Sequence, residues 1–205
     1  MPARLRLALF VTGLLAVTAI AGVLLFAVGE KTVPPAMGYA GATRPPDMPR
    51  EDFGVRDERG RMLRLSAMRG KPVVVTFLYT TCQDTCPLTA QQIRIALDDV
   101  GHDVPVVAVS VDPENDPPQR ARAFLLKQGL HGRMRWALGS AAPLQRLWKA
   151  YGIVPQSDDA EHTATTILLD GRGVQRVGFA ASVLTPNGLA HDIAKLEREA
   201  RRSAS

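Results

Sequence analysis

The chain holds two cysteines, Cys82 and Cys86, close together in Tyr79-Thr80-Thr81-Cys82-Gln83-Asp84-Thr85-Cys86-Pro87. A spacing of four residues can bring both sulfurs to one side of a helical turn. The pair falls between an apolar run and a helical pattern, which puts it at the carboxyl end of a strand, where sites form in α/β sheets. The partial positive charge of a helix N-terminus would favour thiolate over thiol there.

Several chemistries compete for such a pair. A disulfide staple closing so short a loop stabilises by only about 2 kcal/mol, against about 4.7 for a 100-residue loop. Structural zinc needs four ligands, and only two cysteines exist. A thioredoxin-type oxidoreductase normally has two residues between its cysteines, whereas this chain has three. That superfamily also usually sets a cis-proline opposite the pair. The corresponding stretch, His162-Thr163-Ala164-Thr165-Thr166-Ile167-Leu168-Leu169-Asp170, contains no proline. The peroxiredoxin pattern P-x-x-x-T-x-x-C fails, because Val75 and Tyr79 occupy its first two fixed positions. Soft-metal binding remains: two thiolates and an imidazole suit copper, and sulfur suits low-coordinate Cu(I). His162 is the best-placed third donor, following the polar loop Gln156-Ser157-Asp158-Asp159-Ala160-Glu161 and opening a strand beside the cysteine loop. His102 and His131 stand in connections, each beside a glycine, and His191 falls on the last helix. Metal binding and thiol–disulfide exchange both stay open, since the same sulfurs serve either.

The elements that must hold these residues alternate strand and helix. Two short strands are expected within Phe53 to Leu65, around the turn Asp57-Glu58-Arg59-Gly60. Lys71 to Tyr79 is a nearly continuous β-branched and aromatic run, the mark of a strand covered on both faces. A helix is expected over Pro87 to Val100, a strand over Val104 to Val111, and a helix over Pro117 to Gln128. A short strand over Met134 to Leu138 and a helix over Ala142 to Tyr151 follow. Thr163 to Leu169 and Val174 to Phe179 flank Asp170-Gly171-Arg172-Gly173, a strong hairpin signal. Asn187 to Arg201 closes the chain as a helix. This order, with parallel crossovers early and an antiparallel hairpin late, predicts an α/β thioredoxin-like fold in one domain over residues 49–205.

Upstream, Leu7 to Val28 runs 22 residues without a charge or a proline. A helix of that length reaches roughly 33 Å, enough to cross the hydrocarbon layer. Arg4 and Arg6 precede it, while Glu30 and Lys31 cancel behind it, so the N-terminus is expected in the cytoplasm and the rest outside. A cleavable signal peptide would carry a shorter apolar core of about 7–15 residues, and Phe26-Ala27-Val28-Gly29 is a poor cleavage site. The expectation is a single transmembrane helix within residues 1–31, then a flexible Pro- and Gly-rich tether over 32–48. Beyond residue 31 the chain has 22 basic and 19 acidic groups. That is no nucleic-acid footprint, since no basic stripe is interleaved with aromatics.

Three segments together resemble the Sco (SenC) proteins, which help assemble the copper centre of cytochrome c oxidase. They are Thr76-Phe77-Leu78-Tyr79-Thr80-Thr81-Cys82 with Asp84 and Cys86-Pro87, then Val109-Ser110-Val111-Asp112-Pro113-Glu114-Asn115-Asp116, then His162 before Leu168-Leu169-Asp170-Gly171-Arg172-Gly173. The resemblance implies a copper site, Cu(I) or Cu(II), built by Cys82, Cys86 and His162. It implies as partner the copper-receiving subunit of the oxidase, with an upstream thiol reductant and another copper chaperone as further partners. Reduction of that subunit's cysteines by the Cys82–Cys86 pair is the alternative role. Asp112 and Pro113 would shape the loop beside the site, and Asp84 would serve partner recognition or proton transfer. The implied location is the inner membrane, with the folded domain in the periplasm or an equivalent space. Two departures stand out: Gln83 replaces the family's proline after the first cysteine, and Glu161 replaces the aspartate before the histidine.

Overall fold

The structure, a computed structural model, describes residues 12, 17–18, 38–156 and 164–204. The chain divides into two units, Met1–Thr32 and Val33–Ser205. In the first, Thr12, Val17 and Thr18 are helical and exposed. The rest of the Leu7–Val28 run lies outside the described residues. Among the described residues no helix is long and apolar enough to cross a membrane.

The second unit is a mixed α/β domain. Its strands are β1 (Ala42–Thr43), β2 (Val55–Arg56), β3 (Met62–Leu63), β4 (Val73–Leu78), β5 (Val106–Ser110), β6 (Met134–Ala137), β7 (Thr165–Leu169) and β8 (Gln175–Ala180). Its helices are α1 (Thr85–Val100), α2 (Pro118–Lys127), α3 (Ala141–Tyr151) and α4 (Pro186–Ala204), with a 3-10 turn over Leu65–Met68. Six strands form the central sheet in the order β1-β8-β7-β4-β5-β6, and β2 pairs with β3 as a separate hairpin. β4, β5 and β6 run parallel, while β7, β8 and β1 are antiparallel additions. This is the mixed α/β arrangement that the element order leads one to expect.

β4 shows why the sequence builds the sheet here. All six of its residues are buried, and their side chains alternate between two cores. Val73, Val75 and Phe77 pack with Phe53, Leu63, Trp148 and Tyr151 on one face. Val74 and Leu78 pack with Ile93, Leu97, Phe179 and Ile193 on the other. The one polar residue, Thr76, meets Thr166 of β7 hydroxyl to hydroxyl at 3.0 Å, so its burial leaves no unpaired group. The β7–β8 turn is closed by the Asp170 carboxylate, which accepts the N–H groups of Arg172 and Val174 at 2.9 and 3.0 Å. Gly173 takes the positive φ of 78° that this turn requires.

The structure differs from the sequence reading at two boundaries. Residues from Tyr39 to Arg44, read as tether, are part of the folded unit. The Ala40 and Gly41 N–H groups donate to the Asp192 carboxylate at 2.8 and 3.0 Å. Tyr39 donates its hydroxyl to Glu199 at 2.8 Å, and β1 pairs with Val177 and Gly178 of β8. Gly41 fits because a Cβ there would lie 2.5 Å from Val177 Cγ1. These partners are more than 130 residues away in sequence, so local composition could not disclose them. The second boundary is the start of α1, which begins at Thr85 and takes Cys86 into its first turn.

Candidate metal centre

The chain leaves β4 through Tyr79, Thr80 and Thr81, reaches Cys82, and enters α1 at Thr85. The Cys86 N–H donates to Cys82 Sγ at 3.2 Å, and both cysteines are free thiols. The fold therefore brings the two sulfurs to one place, at the carboxyl end of β4 and the amino end of α1. Their surroundings differ. Cys82 is half-buried and lines an open cleft, whereas Cys86 is 0% exposed and belongs to the core below.

That difference sets the electrostatics. Burial works against a Cys82 thiolate, but hydrogen bonds from the Cys86 N–H and thiol, the Asp84 N–H and Tyr79 outweigh it. The Cys82 thiol is therefore held below the usual cysteine range. Burial pushes Cys86 strongly upward, reinforced by the neighbouring Cys82 and by Asp116 and only partly opposed by the Tyr79 N–H. Of the two sulfurs, Cys82 is therefore the more readily ionised and Cys86 the more strongly held as a thiol.

A buried carboxylate braces the cysteine loop from below. Asp116, 3% exposed, accepts the Thr80 N–H at 2.7 Å and the Ser110 hydroxyl at 2.5 Å. Burial raises its carboxyl above the ordinary value, against the pull of those donors. It thus ties the end of β4 to the end of β5. Asp112 shapes the same connection, accepting both Asn115 Nδ2 bonds at 3.1 and 3.0 Å. Asp84 is exposed at the N-cap position of α1 and makes no side-chain cap. The bracing role of Asp116 was not legible from sequence, though Asp116 ends the Val109 to Asp116 segment that also holds its partner Ser110.

His162 lies outside the described residues. Both flanks of its segment are held, however. The Gln156 N–H donates to Val111 O at 3.1 Å, beyond the end of β5, and Ala164 O accepts the Ala181 N–H at 2.9 Å, one residue before β7. β7 runs beside β4 with Thr166 opposite Thr76. The remaining histidines are elsewhere: His102 contacts Glu197, His131 contacts Arg59, and His191 contacts Asp192. Among the described residues no three ligand-type side chains gather into a metal cluster.

A model of the SCO1/SenC family matches residues 41–198. The chain belongs to the SCO1/SenC family. The SCO1 protein homolog of Bacillus subtilis is 29% identical over 79 residues, 36% of this chain and 40% of that protein. The chain spans about a third to a half of the length of the curated SCO relatives it matches. Among solved structures, Bradyrhizobium japonicum ScoI with copper bound superposes with a TM-score of 0.60 at 28% identity, covering 71% of this chain and 98% of that one. BsSco, described as a member of the Sco family of cytochrome c oxidase assembly proteins, superposes at 0.64 and 20% identity, covering 78% and 98%. Copper is thus the metal held by a related structure. The donors present here fit it: two sulfurs, one already inclined to thiolate, at an open mouth.

Proposed function

We propose that this chain binds copper through Cys82, Cys86 and His162 and delivers it to the copper-receiving subunit of cytochrome c oxidase. The observation that carries the reading is the pair itself, two free sulfurs gathered at the amino end of α1, at the carboxyl edge of the sheet. The copper-bound B. japonicum relative supports the metal, and the family description of BsSco supports the oxidase as destination. His162 is two residues before Ala164 in sequence, and Ala164 directly precedes β7, the strand that pairs with β4. That is compatible with a third ligand arriving from the β7 side. The Leu7–Val28 run would hold the domain at the outer face of the cytoplasmic membrane, within reach of a membrane-embedded client. A reporter fused to the C-terminus should then be active only outside the cytoplasm.

The test is metal analysis of the full chain, solubilised in detergent, reduced and exposed to Cu(I) or Cu(II). One copper per chain is expected, and none after Cys82 and Cys86 are oxidised to a disulfide, because thiolates and not disulfide sulfurs are the ligands. Undiminished binding by the oxidised protein would refute the site. His162→Ala should weaken copper binding sharply while leaving both sulfurs in place.

A second reading, reduction of the client's cysteines, is favoured by the contrast between an open, low-pKa Cys82 and a buried Cys86. Such a contrast suits an attacking and a resolving thiol. His162→Ala separates the two, because exchange needs only the sulfurs. Retained reduction of a model disulfide together with failed oxidase assembly points to copper transfer as the essential task.

A further inference from the structure

The cysteine pair opens onto a cleft of about 260 Å³ that copper binding alone leaves without a use. Cys82 and Pro87 form one wall; Arg120, Phe124 and Lys127 of α2 form the other. Gln128 lines it too, linked to Gln91 of α1 at 3.4 Å. Arg120, Ala123 and Lys127 recur at helical spacing, so α2 turns one face with two cations toward the sulfur. The helix carries three basic residues and no acidic one. The third, Arg122, points elsewhere and donates to Glu58 O at 2.6 Å.

Among the described residues these two cations have no carboxylate partner, whereas several others of the domain do. Arg94, Arg133, Arg135 and Arg176 each reach a carboxylate. Among the described residues Arg120 reaches only the Asn115 carbonyl, at 3.1 Å, and Lys127 forms no ion pair. Among the described residues no acidic side chain lines the cleft. Large apolar side chains also lie uncovered on both helices, Leu88 on α1 at 53% exposure and Leu126 on α2 at 61%. Neither lines the cleft itself, whose apolar groups are Pro87, Ala123 and Phe124; a small anion would meet the charges but not this apolar lining.

We propose that this cleft is the docking groove for a client polypeptide, and that it takes an acidic segment lying next to the client's own cysteines. The inference rests on the reading that Cys82 and Cys86 serve a client protein, and it adds how that client is recognised. Carboxylates of the segment pair with Arg120 and Lys127, while an apolar side chain meets Pro87 and Phe124. This seating brings the client's sulfurs to Cys82. Charge complementarity of this kind steers encounter and fixes register more than it adds affinity.

The test uses the full chain in nonionic detergent and short labelled peptides whose two cysteines are replaced by serine, flanked either by glutamates or by lysines. Fluorescence anisotropy reads docking without copper or sulfur chemistry, so failure of the copper reading leaves this result interpretable. The acidic peptide should bind about tenfold more tightly than the basic one at low salt. The preference should fade at about 0.5 M salt, where the Debye length shrinks to a few ångströms. R120E/K127E should reverse it and R120A/K127A should abolish it, with the fold of each checked by circular dichroism. Equal binding of the two peptides, or a preference unchanged in both variants, would overturn the proposal. So would loss of peptide binding on adding anionic lipid vesicles that occupy the same two cations, since the groove would then be a membrane contact.

Discussion

The two ends of the central sheet each carry a cleft, and it is the smaller one that holds a cysteine. At the amino ends of β4 and β5 a cleft of about 380 Å³ is lined by Lys71, His102, Asp103, Glu197 and Arg201. Its lining carries both signs of charge, Asp103 and Glu197 against Lys71 and Arg201, and His102 Nε2 lies 3.3 Å from a Glu197 oxygen. At the carboxyl ends the cleft is about 260 Å³, yet it holds a depressed thiol and two cations without carboxylate partners among the described residues. The difference follows from chain direction. Parallel strands release their loops at the carboxyl ends, where the N-terminus of the next helix also points. Volume therefore does not set the smaller cleft apart, whereas a thiol beside charge of a single sign does.

Cysteine reactivity should break this comparison open most widely. In the folded, reduced protein Cys82 should be alkylated by iodoacetamide along a pH profile centred below the ordinary thiol value of about 8.5. Its depressed pKa means that the thiolate persists above that midpoint and is lost as pH falls through it. Cys86, fully buried, reacts only through opening of the structure and should be slower by about two orders of magnitude. Mass mapping of the alkylated peptides measures both rates. Comparable rates would remove the asymmetry on which the attacking and resolving roles rest.

Next in size is the brace beneath the pair. Asp116→Ala leaves the Thr80 N–H and the Ser110 hydroxyl without their partner, a loss of about 1–3 kcal/mol. Asp116→Asn preserves the shape, since its amide oxygen can accept from Thr80 and its NH₂ can donate to Ser110. The Asp116 carboxyl is raised by burial, so its contribution is full below its unfolded value and declines as pH rises through the folded one. The Asn variant removes that decline and should equal or exceed the parent in stability at neutral pH. Denaturant titrations of both variants across pH check this. An Asn variant as unstable as the Ala variant would show that the ionised carboxylate is required. Asp103→Ala, at the other end of the sheet and exposed, should stay within about 0.5 kcal/mol of the parent.

Much of this organisation was legible in the sequence, and the exceptions share a cause. β4 announced itself because burial on both faces leaves a continuous apolar run, and the β7–β8 hairpin because Asp170 and Gly173 satisfy the turn's backbone locally. That the two cysteines come together at the strand–helix junction was legible from their spacing and from their place between an apolar run and a helical pattern. The start of α1 was read at Pro87, two residues late, because proline suits a first helical turn while Thr85 and Cys86 carry no periodic signal. β1 and Asp116 escaped for a different reason. Each owes its place to partners distant in the chain, Asp192 and β8 for the first and Thr80 for the second. A two-residue edge strand and a lone aspartate look like loop until those partners are known.

The smallest effect belongs to His102, and its smallness is informative. His102 follows α1 and precedes β5, so the length of that strand, roughly 16 Å for five residues, separates its end of the sheet from the cysteine end. Its ring pairs with a Glu197 that is itself mostly covered, 50% and 19% exposed side chains respectively. A contact half open to solvent on the histidine side contributes about 0–1 kcal/mol. His102→Ala should therefore lower stability by no more than that and leave copper stoichiometry and affinity unchanged, whereas His162→Ala should weaken binding. Parallel metal titrations of the two variants read both effects against one standard. If His102→Ala lost copper as His162→Ala is expected to, the amino end of the sheet would have to contribute a ligand. The fold could supply one only by a rearrangement that carried His102 past the whole of β5, and the contrast between the two ends would then fail.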